Sequence, residues 1–180
     1  MTTQTLDTSE QQLRNEFLHA MRYTAASVAV VTTDGKAGRG GVTVSAFSSL
    51  SADPPSVLVC VHQLSPVLPL IQSNGRMCVN LLRAEQTHVA DSFAGRIAQW
   101  RDNRFACAQW LEQAGCAPQL EGALANLHCK VDKDVVFGSH HILIGLIDQV
   151  HCCEAEGLLY ADRAYRQIGE QAPIQQELYA

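Results

Sequence analysis

With 180 residues, 47% of them apolar and 17% charged, the chain can bury one core without disulfide or metal staples. A formal net charge of −5 with no basic stripe argues against nucleic acid or an anionic membrane as a partner. No run of about 18 apolar residues occurs, which excludes a transmembrane helix, and the polar start MTTQTLDTSEQQ lacks the features of a signal peptide. The seven cysteines (60, 78, 107, 116, 129, 152 and 153) form an odd set without CxxC spacing. Several lie in apolar, strand-like runs, where a free thiol packs as a small hydrophobe, so the expectation is a reduced, cytoplasmic protein. The low charge density also suggests that a partner subunit covers part of the surface.

Residues 1–8 read as a tail, 9–170 as a single domain and 171–180 as a peripheral C-terminal tail. Ser9 and Gln12 form a capping-box pattern. Leu13, Phe17, Ala20 and Met21 then recur at helical spacing, predicting an amphipathic helix to about Arg22. Ala26–Thr33 reads as a buried strand ended by the Asp34-Gly35 turn, and glycines 35, 38, 40 and 41 lead into the next one.

Gly41–Val61 is the most informative stretch. Val42, Val44, Ala46, Ser48 and Leu50 alternate with Thr43, Ser45, Phe47, Ser49 and Ser51, the period of a strand with two unlike faces. One face carries short hydroxyls where Lys, Glu, Gln or Arg is usual, which reads either as a close approach of the backbone to a ligand or as the outer face of a core hairpin. Asp53-Pro54-Pro55 breaks the strand, and Ser56–His62 continues as a nearly unbroken apolar one.

Further along, Ser65-Pro66 predicts a helix start, with the helix running to about Ser73 and stopped by Asn74-Gly75. Met77–Leu82 reads as a strand, Ala84–Phe93 as a helix, 94–107 as irregular and Cys107–Gln113 as a short helical piece. Leu127–Val136 and His141–Val150 are strands around Gly138-Ser139-His140, and Leu158–Tyr160 with Tyr165–Ile168 closes the core. Six or seven strands with helices in no regular βαβ order favour a mainly β, antiparallel barrel with added helices.

Gly35–Gly41 lacks the G-x-G-x-x-G spacing and precedes a strand, so a Rossmann pyrophosphate turn is missing. There is no Walker A, G-x-S-x-G or H-E-x-x-H sequence. His128-Cys129 and His151-Cys152-Cys153 are adjacent residues, which a strand points to opposite faces, so no metal site is expected.

From about Phe17 to Ile168 the chain resembles the short-chain flavin reductases, the NAD(P)H:flavin oxidoreductase components of two-component monooxygenases. The pieces, in order, begin with Ala20-Met21-Arg22, Val30–Thr33, Gly41–Leu50 with Asp53-Pro54-Pro55, and Leu58–Val61. They continue with Gly75 and Cys78-Val79-Asn80, Phe93-Ala94-Gly95, Arg104-Phe105, Gly138-Ser139-His140 and Leu158–Tyr160. The resemblance implies an FMN-binding split β-barrel and a homodimer. It also implies hydride transfer from NADH or NADPH to FMN, or to FAD, and reduced flavin leaving by diffusion for a separate monooxygenase acting on aromatic or heterocyclic compounds. A flavin-binding or electron-transfer protein of the same fold, without reductase activity, is the alternative.

The resemblance also implies a site. Thr43, Val44, Ser45, Ala46, Ser48 and Ser49 would lie along the isoalloxazine, with Cys60, Val61 and His62 beside the ring and ribityl chain. Ser65 would meet the phosphate. Val67 departs from the hydroxyl common at its position, which shifts phosphate binding toward Arg96, Arg101 or Arg104. Phe93 joins the cofactor set, and Ser139-His140 would face the nicotinamide, with His140 the catalytic candidate. Ser139 before the histidine resembles reductases serving aromatic-ring hydroxylases and pyrimidine-ring degradation. Tyr165, with Arg166, would flank the nicotinamide or its ribose. From the residues alone, His140 is a strand-capping turn residue and Tyr165 a barrel-closing one.

Overall fold

The computed structural model of the chain describes residues 8–169. The tail expected at 171–180, and all but Thr8 of the one at 1–8, lie outside the described residues. Helix α1 (Thr8–Met21) comes first, followed by strands β1 (Ala26–Ser27), β2 (Ala29–Thr33), β3 (Gly40–Val44), β4 (Phe47–Ala52) and β5 (Pro55–His62). Next come α2 (Leu68–Asn74), β6 (Arg76–Leu81), α3 (Thr87–Phe93), β7 (Trp110–Leu111) and β8 (Gln119–Leu120). The long hairpin β9 (Ala125–Phe137) and β10 (His140–Cys152) precedes β11 (Leu159–Ala161) and β12 (Ala164–Arg166). Seven strands make one antiparallel sheet in the order β3-β2-β6-β9-β10-β5-β4, with smaller sheets β1-β11-β12 and β7-β8 beside it. This is the mainly β, antiparallel architecture expected. No helix among the described residues is long and apolar enough to cross a membrane.

The single strand expected from Val42 to Ser51 is two strands. β3 pairs with β2 and β4 with β5, at opposite ends of the sheet order, and the chain turns a corner at Ser45-Ala46. Val44 is buried and Phe47 packs against the same core cluster. Strict alternation would place residues three apart on opposite faces, so the corner shifts the phase by one residue. Ala46, Ser48 and Leu50 consequently face out, against the sequence reading.

Ala26–Thr33 also divides. Val28 gives its N–H to the Leu158 carbonyl and takes the Leu82 N–H on its own carbonyl, handing the chain from one sheet to the other. All five residues of β2 are buried because each face has its own core. Val31 packs with Val59, Val61, Ile71, Met77 and Leu143 inside the barrel. Val30 packs with Leu82, Val89, Phe93, Leu120 and Leu158 beneath α3.

The helices differ from expectation mainly at their starts. In α1, Gln12 donates to Glu16 one turn on, so the side chain that should close the capping box points forward. Its apolar stripe, Leu13, Phe17, Leu18 and Met21, is exposed, and the helix buries no residue. α2 begins at Leu68 rather than Pro66, because Ser65 is held in a turn by its N–H to the His62 carbonyl. It ends at Gly75, whose φ of 67° suits glycine and whose N–H returns to the Ile71 carbonyl. α3 is shorter than expected because Gln86 accepts the Arg83 N–H and fixes a turn ahead of it. The helical piece expected at Cys107–Gln113 is a 3-10 turn at Arg104–Cys107 followed by β7.

A fully buried Asn80 joins the two cores. Its amide nitrogen donates to the Val30 carbonyl at 2.9 Å. Its oxygen accepts the Leu120 N–H and the Asn126 side chain, both at 2.8 Å. Asn80→Leu strands the Leu120 N–H in an apolar interior and should cost about 1–3 kcal/mol. Urea unfolding of the variant measures this, and an unchanged midpoint would show that the network contributes nothing.

Candidate functional site

The corner between β3 and β4 is the first of three places where candidate residues gather. Cys60 of β5 donates its N–H to the Ala46 carbonyl at 2.9 Å. The amides of Ser45 and Ala46 have no protein acceptor among the described residues and both residues are exposed, so these main-chain donors are open to a ligand. Two cavities flank the corner. One of about 160 Å³ is lined by Thr43, Val44, Ser45, Arg96, Tyr160 and Tyr165. The other, of about 350 Å³, runs from Ser45 and Ala46 past Tyr160 to Leu18 and Met21 of α1.

The row of hydroxyls does not form one ligand face. Thr43 donates its hydroxyl to the Ala90 carbonyl of α3 at 2.6 Å, and Ser51 bonds the Asp53 carbonyl. Of that row, only Ser45 and Thr43 line the corner cavities. Ser48 and Ser49 stand apart on β4. The Val61 side chain is 1% exposed and belongs to the barrel core, leaving only its main chain for any ligand.

The smaller corner cavity is walled by a polar knot. Tyr165 donates its hydroxyl to Asp91 Oδ1 at 2.7 Å, and Arg96 reaches the same oxygen at 3.0 Å. Burial, then the Asp91 carboxylate, push the Tyr165 hydroxyl well above the usual tyrosine range. Tyr160 meets the Tyr165 ring edge to face at 5.7 Å. Sequence reasoning named Tyr165 and Arg96 but missed Asp91 and Tyr160, whose part depends on the fold.

The second place is the end of the β9–β10 hairpin. Register pairs His140 with His62, and their rings stand edge to face with centroids 5.0 Å apart. His62 Nδ1 accepts the Leu64 N–H, which leaves the ring proton of the neutral form on Nε2. The Ser139 hydroxyl lies 3.0 Å from His140 Nδ1. His141 faces the other way, as its neighbouring position requires, and its Nδ1 lies 2.7 Å from Asp134 Oδ1. Partial burial raises the Asp134 pKa, but hydrogen bonds from Gln72 and His141 outweigh it and hold the carboxyl below its ordinary value.

The third is a cleft of about 400 Å³ between β3, α2 and the loop after α3, where Val67, Phe93 and Arg104 meet. Gly40 and Gly41 form one wall. A Cβ on Gly41 would lie 2.6 Å from Phe93 Cε1, so the missing side chain is what allows that ring to close the back of the cleft. Arg104 donates to the Phe93 carbonyl at 3.0 Å, while Arg39, Arg101 and Phe105 complete the rim. Ser65 is not a helix cap, because its carbonyl accepts the Leu68 N–H within a turn and α2 opens with Val67 at the cap position.

This fold is that of the flavin reductases. Residues 21–169 match the family described as flavin reductase like domain, and the chain belongs to it. Its relatives include the FMN reductase (NADH) RutF of Klebsiella pneumoniae, 38% identical over 153 residues that cover 84% of this chain and 92% of that one. The 4-hydroxyphenylacetate 3-monooxygenase reductase component of Pseudomonas aeruginosa is 34% identical over 164 residues, covering 91% and 94%. The solved structure of flavin reductase PheA2 superposes with a TM-score of 0.79 at 30% identity, covering 92% of this chain and all of the other.

The Tyr165 hydroxyl makes a pH prediction. Its proton is held more tightly in the folded chain, so this contribution is intact below about pH 10, the unfolded value, and is lost as pH rises beyond it. Tyr165→Phe should cost about 1 kcal/mol at pH 8 through the lost hydrogen bond. The gap to wild type should narrow by pH 11, while the fall due to the buried Cys78 and Cys129 thiols, both also pushed up by burial, remains in both proteins. Urea midpoints at the two pH values decide it; a constant gap would refute the linkage.

Proposed function

We propose that the chain is an NAD(P)H-dependent flavin reductase that reduces FMN, or FAD, and releases it to a separate monooxygenase acting on aromatic or heterocyclic compounds. The observation that carries the reading is the corner: exposed, unpaired amides on small residues, one cross-strand step from Cys60 and two residues further from the His62–His140 pair. Bound flavin supplies the electron-accepting chemistry, and the chain supplies binding, orientation and electrostatics. The Ser45 and Ala46 amides, with the Thr43 and Val44 main chain, hold the polar edge of the planar ring, and their small side chains let it approach. Cys60 and His62 flank it. Arg101 and Arg104 in the cleft, beside Val67 and Phe93, take the flavin phosphate in place of a capped helix start. His140, oriented by Ser139, positions the nicotinamide, and Tyr165 walls the corner from the other side. FMN is the favoured flavin because RutF is named for it.

The chain works as a cytoplasmic homodimer on this reading. β5 and β10 turn Leu58, Ile142 and Ile144 outward on the face that carries His62 and His140, and Val135 and Phe137 extend it, 47% and 78% exposed. With the bare stripe of α1, this exposed apolar surface is what a second copy of the chain would cover. Sedimentation should return twice the mass of one chain.

Anaerobic mixing with NADH and FMN should bleach the visible flavin absorbance on a catalytic timescale. Flavin binding without bleaching would mean a carrier instead of a reductase. His140→Ala should slow reduction about 10- to 100-fold with flavin affinity retained, and Ser45→Leu should weaken FMN binding by about tenfold. An unchanged reduction rate in the first, or unchanged affinity in the second, would remove that residue from the site.

A further inference from the structure

His62 and His140 are far apart in the chain, and the sheet makes them immediate neighbours on an exposed face. The Gln63 N–H reaches the Ser139 carbonyl at 2.9 Å, so the main-chain bond falls on the adjoining pair of residues. His62 and His140 are therefore a non-hydrogen-bonded antiparallel pair, the kind in which opposite side chains stand closest. Their ring centres are 5.0 Å apart. An imidazole nitrogen binds a zinc-like ion at about 2.0–2.1 Å, and two rings on one tetrahedral ion then have their centres about 5.2 Å apart. The backbone need not move for both rings to reach one ion, because rotation of the two exposed side chains about χ1 and χ2 suffices.

The bonds of the two rings bear on which nitrogens are free. Ser139 Oγ lies 3.0 Å from His140 Nδ1 and can take the proton of that nitrogen, which presents Nε2 as a ligand and fixes the ring plane. On His62, Nδ1 accepts the Leu64 N–H. Ligation through either nitrogen of His62 ends that bond, because Nδ1 must then carry the ion or the proton. The loss is small, since Leu64 is 81% exposed and its turn is open to water. A second pair of rings, His128 and His151, lies with centres 6.2 Å apart. There His128 is 3% exposed and its Nε2 faces Gln119 Oε1 at 3.0 Å, so that pair is closed to an ion from solvent.

We infer that His62 and His140 form a two-histidine clamp for a divalent transition ion of the zinc, nickel and copper class. Imidazole suits those ions, and affinity should be highest for copper and lowest for manganese. Magnesium and calcium, which take oxygen ligands, should not bind. No group of three or more His, Cys, Asp or Glu side chains able to hold an ion occurs among the described residues, so water would complete the coordination. On the flavin-reductase reading, on which this consequence alone rests, the ion withdraws His140 from the nicotinamide and inhibits in competition with NADH.

Zinc and copper are the probes, applied to the untagged full chain. Calorimetric titration should show binding that His140→Ala and His62→Asn each weaken by about 100-fold, because either change leaves a single ring where two acted together. Asparagine at 62 can still accept the Leu64 N–H, as in an Asx turn, so its effect reads ligation and not a broken turn. Ser139→Ala should weaken binding about tenfold. Replacing the exposed thiols, Cys152→Ser together with Cys153→Ser, should leave it unchanged. Zinc should also shift the amide NMR signal of Leu64 in wild type. No zinc or copper binding by wild type, or binding that the histidine substitutions spare and the cysteine pair abolishes, overturns the inference. Binding with the expected responses but no effect on flavin reduction by NADH upholds the clamp and removes the nicotinamide from His140 instead.

Discussion

β3 and β4 are separated by two residues in the chain yet stand at opposite ends of the seven-strand pairing order. The Ser45-Ala46 corner therefore rolls the sheet toward a barrel, and the other strands must fit the curvature it imposes. Closure is incomplete. Cys60 reaches Ala46 by one main-chain hydrogen bond, but no ladder joins β3 to β4, and the corner amides are left facing solvent. A fully closed barrel would have consumed those donors in strand pairing. The seam gives up sheet hydrogen bonds and gains a place where main chain can recognise a ligand.

The same two-residue period that builds the core also aims the histidines. On β5, Val57, Val59 and Val61 point inward to the barrel core, so Leu58, Cys60 and His62 must point outward. Antiparallel register then places His140 across from His62 and Ile142 across from Cys60. Packing of three valines thereby fixes which histidine of the adjacent pair 140–141 looks outward, and His141 is consigned to the face where Asp134, itself held by Gln72, receives it. A slip of one residue would exchange the two rings and expose the valines.

Elements whose signal is local were legible in the sequence. Ser56–His62, the His141–Val150 stretch and the glycine stops at 75 and 138 needed only alternation or a left-handed backbone position, and they lie where expected. The corner was not legible, because ten residues that alternate on paper cannot show that the phase changes between Val44 and Phe47. The hydroxyl row misled for a related reason: the partner of Thr43 is Ala90, 47 residues away, and a side chain hidden beneath a helix resembles one offered to a ligand until the helix is placed. The cleft was harder still. Its lining comes from β3, α2 and the irregular loop after α3, and in one dimension Arg39, Arg101 and Arg104 are scattered surface charges.

Recognition through the main chain, as proposed above, would explain why the site left so faint a trace. Where amides do the binding, the side chains need only be small, and Ser45 or Ala46 carries no chemical label of its own. The labels fall instead on residues that work at a distance from the corner: Asp91, which ties Tyr165 and Arg96 into a wall, and Gly41, whose missing side chain admits Phe93. Such residues are chosen by geometry and not by reactivity. A chain built this way depends on backbone position at the seam, so changes that move β3 against β5 should disturb ligand binding more than the loss of any one hydroxyl on the row between Thr43 and Ser51.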